Sequence, residues 1–256
     1  MVEPNYHFEN IHKGFFRQTP NLTYLNLKAT WIKELPKDIK CLVNLQYLNI
    51  SDTIISSLPK ELVYLKKLQY LICRGLNRLD KIEEDLMSRL QKLKVIDVFP
   101  SGWVDLEALK KLKKHNSIKG IGMRVVSKEV LQQLSCLPTT RLCLANVDNL
   151  ISLSFDTLSC KNHGLLQSLY IESCPQLEQI VMNGSRSHLN DLKIRNVKNC
   201  EHCWRSIRLR IFHVLKVLYI WGCNLDNLAW LLHLPCLSFL HMRDCANIET
   251  LFYIEE

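Results

Sequence analysis

The amino-acid sequence predicts an α/β solenoid, a horseshoe of about ten stacked repeats with a concave parallel β-sheet and an irregular or short-helical convex side. The main observation is a short apolar pattern that recurs along the whole chain. The second is that apolar residues make up 47% of the 256 residues, with only eight Gly and eight Pro. This composition excludes a disordered or collagen-like chain. No apolar stretch is long enough to predict a membrane span, which needs about 18 such residues.

The recurring pattern has two apolar residues at alternate positions and a third one three positions earlier. Its first copies are Leu22-x-x-Leu25-x-Leu27 and Leu45-x-x-Leu48-x-Ile50. Alternate residues share one face of a short strand, which a single repeat cannot bury without stacked neighbours. The copies start near residues 22, 45, 68, 93, 118, 139, 166, 189, 215 and 237. Since a period of about 20 to 29 residues is the leucine-rich-repeat signature, we expect such a domain over residues 22–256, after an N-terminal cap segment over 1–21.

The chain between strands is also repetitive. The first two copies read Thr30-x-Ile32-x-x-Leu35-Pro36 and Thr53-x-Ile55-x-x-Leu58-Pro59. We expect each threonine to bond backbone groups where the chain leaves the strand, and a short helical turn to follow each Leu-Pro pair. In the fourth repeat, Leu106, Leu109 and Leu112 recur every three residues and predict a helix.

The eleven cysteines cannot all form intrachain disulfides, because their number is odd. Their irregular spacing favours buried free thiols in a reducing, cytoplasmic compartment. Cys174, Cys223 and Cys245 occupy the position of the threonines above, and Cys73 occupies a strand core position.

Several phrases carry a family resemblance. They are Phe15-Phe16-x-x-x-Pro20-x-Leu22, the two Thr-x-Ile-x-x-Leu-Pro segments, Cys174-Pro175-x-Leu177-x-x-Ile180 and Cys245-x-x-Ile248-x-x-Leu251. Together they resemble the repeat domain of plant nucleotide-binding leucine-rich-repeat disease resistance proteins, over nearly the whole chain. The resemblance implies the recognition domain of an intracellular immune receptor. Such a domain binds pathogen effectors or host proteins and helps to hold the receptor's nucleotide switch inactive.

The sequence departs from that family in lacking a Gly-x-x-x-x-Gly-Lys-Ser/Thr phosphate loop, so we expect neither a nucleotide site nor another cofactor in this chain. The last repeat stops at Glu256 without a polar cap, and we therefore expect a fragment, a truncated gene product or an isolated domain. Nothing predicts catalysis, since no Gly-x-Ser-x-Gly motif occurs. Cys200-Glu201-His202-Cys203 has metal-ligand spacing, but a second ligand pair is missing and we expect no metal site.

Residues that alternate with the strand core positions should project from the concave face. Aromatic residues and arginine dominate the energetic centres of protein interfaces. One candidate partner-binding cluster contains Tyr47, Tyr70, Arg74, Phe99 and Arg124. The other contains Tyr170, Lys193, Arg195, Tyr219, Trp221, Phe239, His241 and Arg243. The alternative is that these aromatic side chains only pack on one another along the sheet.

The net charge of +8 is unevenly distributed. Residues 1–128 hold 22 Lys plus Arg against 13 Asp plus Glu, whereas residues 129–256 hold 11 against 12. A candidate basic dock for an acidic protein surface comprises Lys110, Lys111, Lys113 and Lys114. In the resembled family that surface could be the nucleotide-binding domain, although a merely solvated face has the same pattern. Nucleic acid is less favoured, because no aromatic residues interleave with these lysines.

Three other functions stay open at this stage. The chain could be the substrate-recognition arm of a ubiquitin-ligase adaptor or another leucine-rich-repeat scaffold. It could be an extracellular repeat receptor, which would need a secretion signal and few free thiols. An enzyme with zinc at Cys200 and Cys203 is the third.

Overall fold

The computed structural model describes residues 7–79, 81–134, 137–154, 166–181, 188–198, 212–225 and 228–246. It consists of two compact units, unit 1 (residues 1–124) and unit 2 (residues 125–256). Short strands alternate with short helices in both units, and the predicted α/β leucine-rich-repeat fold is confirmed.

The strands of unit 1 are parallel and pair in the order β1-β2-β3-β4-β5. They are β1 (Tyr24–Asn26), β2 (Tyr47–Asn49), β3 (Tyr70–Ile72), β4 (Val95–Asp97) and β5 (Gly120–Val125), which ends at the unit boundary. The helices of unit 1 are α1 (Phe15–Gln18), the 3-10 helices η1 (Lys37–Cys41) and η2 (Lys60–Tyr64), α2 (Glu84–Arg89) and α3 (Leu106–Lys113). The register joins Tyr24 to Tyr47 and Tyr47 to Tyr70, so residues one repeat apart stand side by side.

In unit 2 a parallel sheet has the order β6-β8-β10-β11-β12. The strands of this unit are β6 (Thr139–Ala145), β7 (Ser152–Ser154), β8 (Ser168–Glu172), β9 (Gln179–Val181), β10 (Asp191–Arg195), β11 (Val217–Trp221) and β12 (Phe239–Arg243). The helices among the described residues of this unit are α4 (Lys128–Gln133) and the 3-10 helix η3 (Ala229–His233). The strands β7 and β9 form a second parallel ladder, which the sequence did not predict; the chain between the main strands was expected to be irregular or helical.

The apolar repeat positions form the core of each unit. Leu48 and Leu71 in unit 1, and Leu192 and Leu218 in unit 2, are fully buried. Each such side chain contributes about 1.5–3 kcal/mol by leaving water. The stacked repeats thereby bury the face that one repeat alone would expose.

A residue in the left-handed conformation follows several of the strands, at the same position of each repeat. With φ between 51° and 68°, this row comprises Ala29, Asp52 and Gly75 in unit 1 and Asn146, Ser173, Asn196, Gly222 and Asp244 in unit 2. The amide of Asp52 donates to the carbonyl of Arg74 at 2.8 Å, and that of Gly222 to the carbonyl of Arg243 at 2.9 Å. The turn therefore leaves the strand while keeping its backbone bonded to the next repeat.

The predicted threonine and cysteine positions are confirmed as packing positions. The hydroxyls of Thr30 and Thr53 donate to the carbonyls of Leu27 and Ile50, at 2.8 and 2.9 Å. Cys73, Cys174 and Cys223 are buried free thiols, and Cys245 is half-buried. Burial raises the pKa of the Cys73 and Cys174 thiols, so both stay protonated.

The predicted helical segments are also present. η1 and η2 directly follow Pro36 and Pro59. In α3, Leu109 and Leu112 are fully buried, and the Asp105 carboxylate caps the helix by accepting the Ala108 amide at 2.8 Å.

The two aromatic residues that precede the first repeat have different environments. Phe16 is fully buried, and its amide donates to the Asp38 carboxylate at 3.0 Å. Phe15 is exposed and contacts the Phe16 ring edge-on, with ring centroids 5.5 Å apart. Phe16 thus anchors the segment before the first repeat to η1.

Candidate protein-binding surface

In unit 2, the sheet face opposite the core presents columns in which cations alternate with aromatic rings. The register places Tyr170 beside Lys193 and Lys193 beside Tyr219. It also places Trp221 on β11 between Arg195 on β10 and Arg243 on β12. We call this set, with Phe239 and His241 of β12, the unit 2 face; it is the second cluster predicted from the sequence.

The ammonium group of Lys193 lies between two tyrosine rings. Its Nζ atom is 4.3 Å from the centroid of Tyr170 and 4.4 Å from that of Tyr219. Such cation–π contacts are each worth about 0.5–1 kcal/mol at exposed sites. They hold the long lysine side chain in place, so less conformational entropy remains to be lost when a partner binds.

Trp221 has a guanidinium group from each neighbouring strand over its ring. The Cζ atoms of Arg195 and Arg243 are 4.3 and 4.8 Å from the ring centroid. The indole N–H donates to the Asp244 carboxylate at 2.8 Å. The Arg195 guanidinium group donates to the Glu172 carboxylate at 2.9 Å. This arrangement fixes the indole and both guanidinium groups in one layer on the surface.

The rest of the unit 2 face offers exposed area next to this layer. Phe239 is 45% exposed, and His241 is also exposed. The ring of Tyr219 contacts both, with centroid distances of 5.1 Å to Phe239 and 5.6 Å to His241. The structure therefore brings all eight predicted residues of this cluster together.

Asp191 is an acidic group within the same face. Its Oδ2 atom accepts a hydrogen bond from the hydroxyl of Tyr170 at 3.1 Å, whereas its buried Oδ1 atom has no hydrogen-bond partner among the described residues. Burial is the largest cause of a raised pKa for Asp191, opposed by the charges of Lys193 and Arg141. Burial also raises the pKa of Tyr170, and the hydroxyl therefore remains a donor.

The first predicted cluster, in unit 1, has a different character. The rings of Tyr24 and Tyr47 stack with their centroids 4.4 Å apart, and the ring of Tyr70 is tilted by 41° against that of Tyr47 at a centroid distance of 6.0 Å. Tyr24 was not among the predicted binding residues, yet it is the most exposed of the three at 56%. The shared column position of the three tyrosines was the sequence signal that could have included it.

Two predicted residues of the first cluster serve the fold. Arg74 pairs through Nε with the Asp97 carboxylate at 2.5 Å, and that carboxylate is buried. The expectation of an exposed Phe99 is wrong: the side chain is only 6% exposed, because β4 ends at Asp97 and alternation no longer applies beyond it. Arg124 is half-buried on β5.

The four lysines of the predicted basic dock lie on or next to α3. Lys110 pairs with Glu107 at 2.7 Å, and Lys111 with Glu84 at 3.5 Å. Lys113 is half-buried and Lys114 is exposed. Part of the dock's charge is thus balanced by local carboxylates.

The described residues contain neither a cluster of metal ligands nor a helix that could span a membrane. The Cys200–Cys203 motif lies outside the described residues. Within the described ranges, no group of three or more His, Cys, Asp or Glu side chains could hold a metal ion. None of the helices in that part of the chain has the length and apolar character needed to cross a bilayer.

These features define a repeat protein whose fold is generally a protein-interaction scaffold rather than a catalytic one. A family model described as a leucine-rich repeat region matches residues 4–203. The chain therefore belongs to the leucine-rich-repeat family.

A similar protein indicates which kind of leucine-rich-repeat protein this chain resembles. Over its whole length the chain is 28% identical to a probable disease resistance protein of Arabidopsis thaliana, in an alignment of 263 residues. The chain spans 27% of that relative's length. The predicted resemblance to the repeat domain of plant disease resistance proteins is confirmed.

Two solved structures are similar to this chain, and the first supports the fold. An internalin of Listeria monocytogenes has a TM-score of 0.50 at 15% identity, with 93% of this chain and 65% of the internalin covered. The functional domain of InlJ, also from Listeria monocytogenes, has a TM-score of 0.49 at 15% identity and covers 93% of this chain and 56% of that chain. At such low identity the internalin supports the fold alone.

Proposed function

We propose that this chain is the recognition domain of an intracellular plant immune receptor. Residues 22–256 would form the domain, preceded by the segment 1–21, and it would work in the cytoplasm without catalysing a reaction. Its ligand would be a pathogen effector or a host protein that effectors modify. The similarity to a disease resistance protein supports this class of function, and the buried free thiols agree with a reducing compartment.

The observation that carries the proposal is the layer formed by Arg195, Trp221 and Arg243. Tryptophan and arginine are enriched at the energetic centres of interfaces. Here the ring and both guanidinium groups are fixed before any partner arrives. Because a fixed side chain has little freedom left to lose, the unit 2 face is suited to bind a protein surface.

In a full-length receptor, the domain would also contribute to autoinhibition. Its basic dock (Lys110, Lys111, Lys113 and Lys114) would contact an acidic face of the nucleotide-binding domain. Effector binding would then favour the active state through its different contacts with the two states.

The test is capture of partners from infected and uninfected plant extract, quantified by mass spectrometry. The double variant Trp221→Ala/Arg243→Ala should reduce capture of the specific partner by roughly tenfold or more, as expected for the loss of hot-spot residues. The matched control is Tyr24→Ala/Lys28→Ala, which removes one aromatic and one cation from the exposed sheet face of unit 1. Equal capture by all three proteins would contradict the assignment of the unit 2 face.

The captured partner is then purified and its affinity for each protein is measured directly. Circular dichroism melts show whether the variants stay folded. The melt of the unit 2 variant should stay close to that of the wild type, because the two truncated side chains lie at the surface.

A further inference from the structure

The turns that precede β3, β4 and β5 form a continuous row in unit 1. The amide of Gln69 donates to the carbonyl of Gln46 at 2.8 Å, that of Lys94 to Gln69 at 2.7 Å and that of Lys119 to Lys94 at 2.7 Å. Side chains tie the turns together as well, since the Ser117 hydroxyl donates to the Leu93 carbonyl at 2.7 Å. Equivalent turns of successive repeats are therefore direct neighbours, in a row at the N-terminal ends of the strands.

Five lysines lie on this row, and we call them the basic rim: Lys66, Lys67, Lys92, Lys94 and Lys119. All except the half-buried Lys94 are exposed. The stretches 62–69, 86–94 and 108–119, in which the rim lies, contain no Asp or Glu.

Among the described residues of unit 1, no carboxylate pairs with the lysines of the basic rim. Lys67 donates to the Asn44 side-chain oxygen at 2.7 Å, and Lys66 to the Arg89 carbonyl at 3.4 Å. Both acceptors are neutral. Across the described residues, none of the five rim ammonium groups forms an ion pair, in contrast to Lys110 and Lys111 of the basic dock.

Two exposed apolar side chains accompany the rim. Val43 is 52% exposed and occupies the turn position that Lys66 occupies one repeat later. Tyr64 is 56% exposed at the end of η2, and its carbonyl accepts the Lys66 amide at 2.9 Å. Tyrosine is enriched where membrane proteins meet the interfacial layer, and lysine is attracted to anionic headgroups.

We propose that the basic rim, with Val43 and Tyr64, is a peripheral contact site for an anionic lipid surface. A row of uncompensated lysines gains attraction with each added charge near phosphatidylserine-type headgroups. The two apolar side chains would enter the headgroup layer beside it. This inference stands apart from the proposed function, because it uses other residues and another ligand.

The residue types favour lipid over two other anionic ligands. Protein interfaces are enriched in arginine and depleted in lysine, whereas the rim consists of lysines. Single-stranded nucleic acid is held by successive aromatic rings on which bases stack, whereas Tyr64 is a lone ring beside the rim lysines. Lysine ammonium groups are compact, strongly hydrated point charges that suit a diffuse anionic plane.

The test is co-sedimentation of the full chain with vesicles of phosphatidylcholine alone or mixed with phosphatidylserine. We expect binding only to the mixed vesicles, with loss of binding between about 0.1 M and about 0.5 M salt. The rim variant Lys67→Glu/Lys92→Glu/Lys119→Glu should weaken binding by roughly tenfold or more. The control Lys13→Glu/Lys37→Glu/Lys60→Glu makes the same charge change at exposed lysines that line a separate groove beside α1 and η1, and it should weaken binding much less.

Three outcomes would overturn the inference. The first is that the wild type does not bind the mixed vesicles. The second is equal weakening by both triple variants, which would mean that only net charge matters. The third is rim-dependent binding to polyglutamate without binding to vesicles, which would assign the rim to an acidic protein partner; circular dichroism confirms that each variant is folded.

Discussion

Unit 1 and unit 2 are built from the same repeat but place their cations differently. In unit 1, lysines lie on the turns before the strands, and the sheet-face residue Arg74 pairs with a buried carboxylate. In unit 2, the corresponding turns are almost uncharged, with Lys216 as the cation of the hydrogen-bonded row that also holds Gln167, Asn190 and Ser238. Its sheet-face cations Lys193, Arg195 and Arg243 instead lie against aromatic rings. The apolar pattern therefore determines the backbone of both units, while the residues at exposed positions determine what each unit can bind.

The largest expected effect tests whether the two cores are equivalent. Leu71→Ala in unit 1 and Leu192→Ala in unit 2 each remove a fully buried strand residue. Each should lower the free energy of unfolding by about 2–5 kcal/mol, because a cavity is left in the stack. Urea titration followed by circular dichroism measures both. A cost below about 1 kcal/mol at either site would show that one unit lacks a packed core.

The next prediction compares two arginines on the exposed sheet faces. Arg74→Ala should cost about 2–3 kcal/mol, because it leaves the buried Asp97 carboxylate without its cation. Arg195→Ala should cost about 1 kcal/mol or less, because its partner Glu172 is partly exposed.

Urea titration again provides the measurement. The double variant Arg74→Ala/Asp97→Ala is the control for the first change, since it also removes the carboxylate that needs a partner. Equal costs at Arg74 and Arg195 would mean that the two arginines do not differ in role.

A smaller effect tests the left-handed turn shared by the units. Gly75→Ala and Gly222→Ala should each destabilise by about 1–2 kcal/mol, because their φ values of 68° and 62° disfavour a side chain. The opposite changes, Ala29→Gly and Ser173→Gly, should stabilise, since both residues already have positive φ. Thermal melts report the sign of each change, and destabilisation by the glycine variants would contradict this view of the turn.

The smallest predicted effect concerns pH and is specific to unit 2. Burial raises the pKa of Asp191 in the folded chain, so the ionised carboxylate costs stability at neutral pH. That penalty is absent below the unfolded pKa, about 3.9, and develops as the pH rises through the folded value. Asp191→Asn should therefore raise the melting temperature slightly at pH 7, with a gain that shrinks as the pH falls. A gain that is equal at all pH values would point to a cause other than ionisation.

The sequence predicted the repeats well, because each strand needs apolar residues at fixed positions. The columns that include Tyr170, Lys193 and Tyr219 are correct because parallel pairing in register follows from the equal spacing of those positions. The alternation of buried and exposed positions along a strand did not predict the burial of Phe99, which lies past the end of β4. The pairing of Arg74 with Asp97 was missed because it joins different columns of adjacent repeats.

Other features had no clear sequence signal. Ala29 and Ser173 adopt a backbone conformation more typical of glycine, because hydrogen bonds to the next repeat impose the turn on them. The β7–β9 ladder is too short to show a strand period. The sequence predicted that Arg195, Trp221 and Arg243 lie close together, but not how they contact one another. The stacking of two guanidinium groups on one ring depends on side-chain conformation, which the repeat pattern does not determine.

The most direct test of the central claim is the affinity of a purified captured partner for the wild type, for Trp221→Ala/Arg243→Ala and for Tyr24→Ala/Lys28→Ala. We predict a dissociation constant at least about tenfold weaker for the unit 2 variant, and a change of less than about threefold for the unit 1 variant. The reverse order, or equal weakening by both, would contradict the claim that recognition is centred on the unit 2 face.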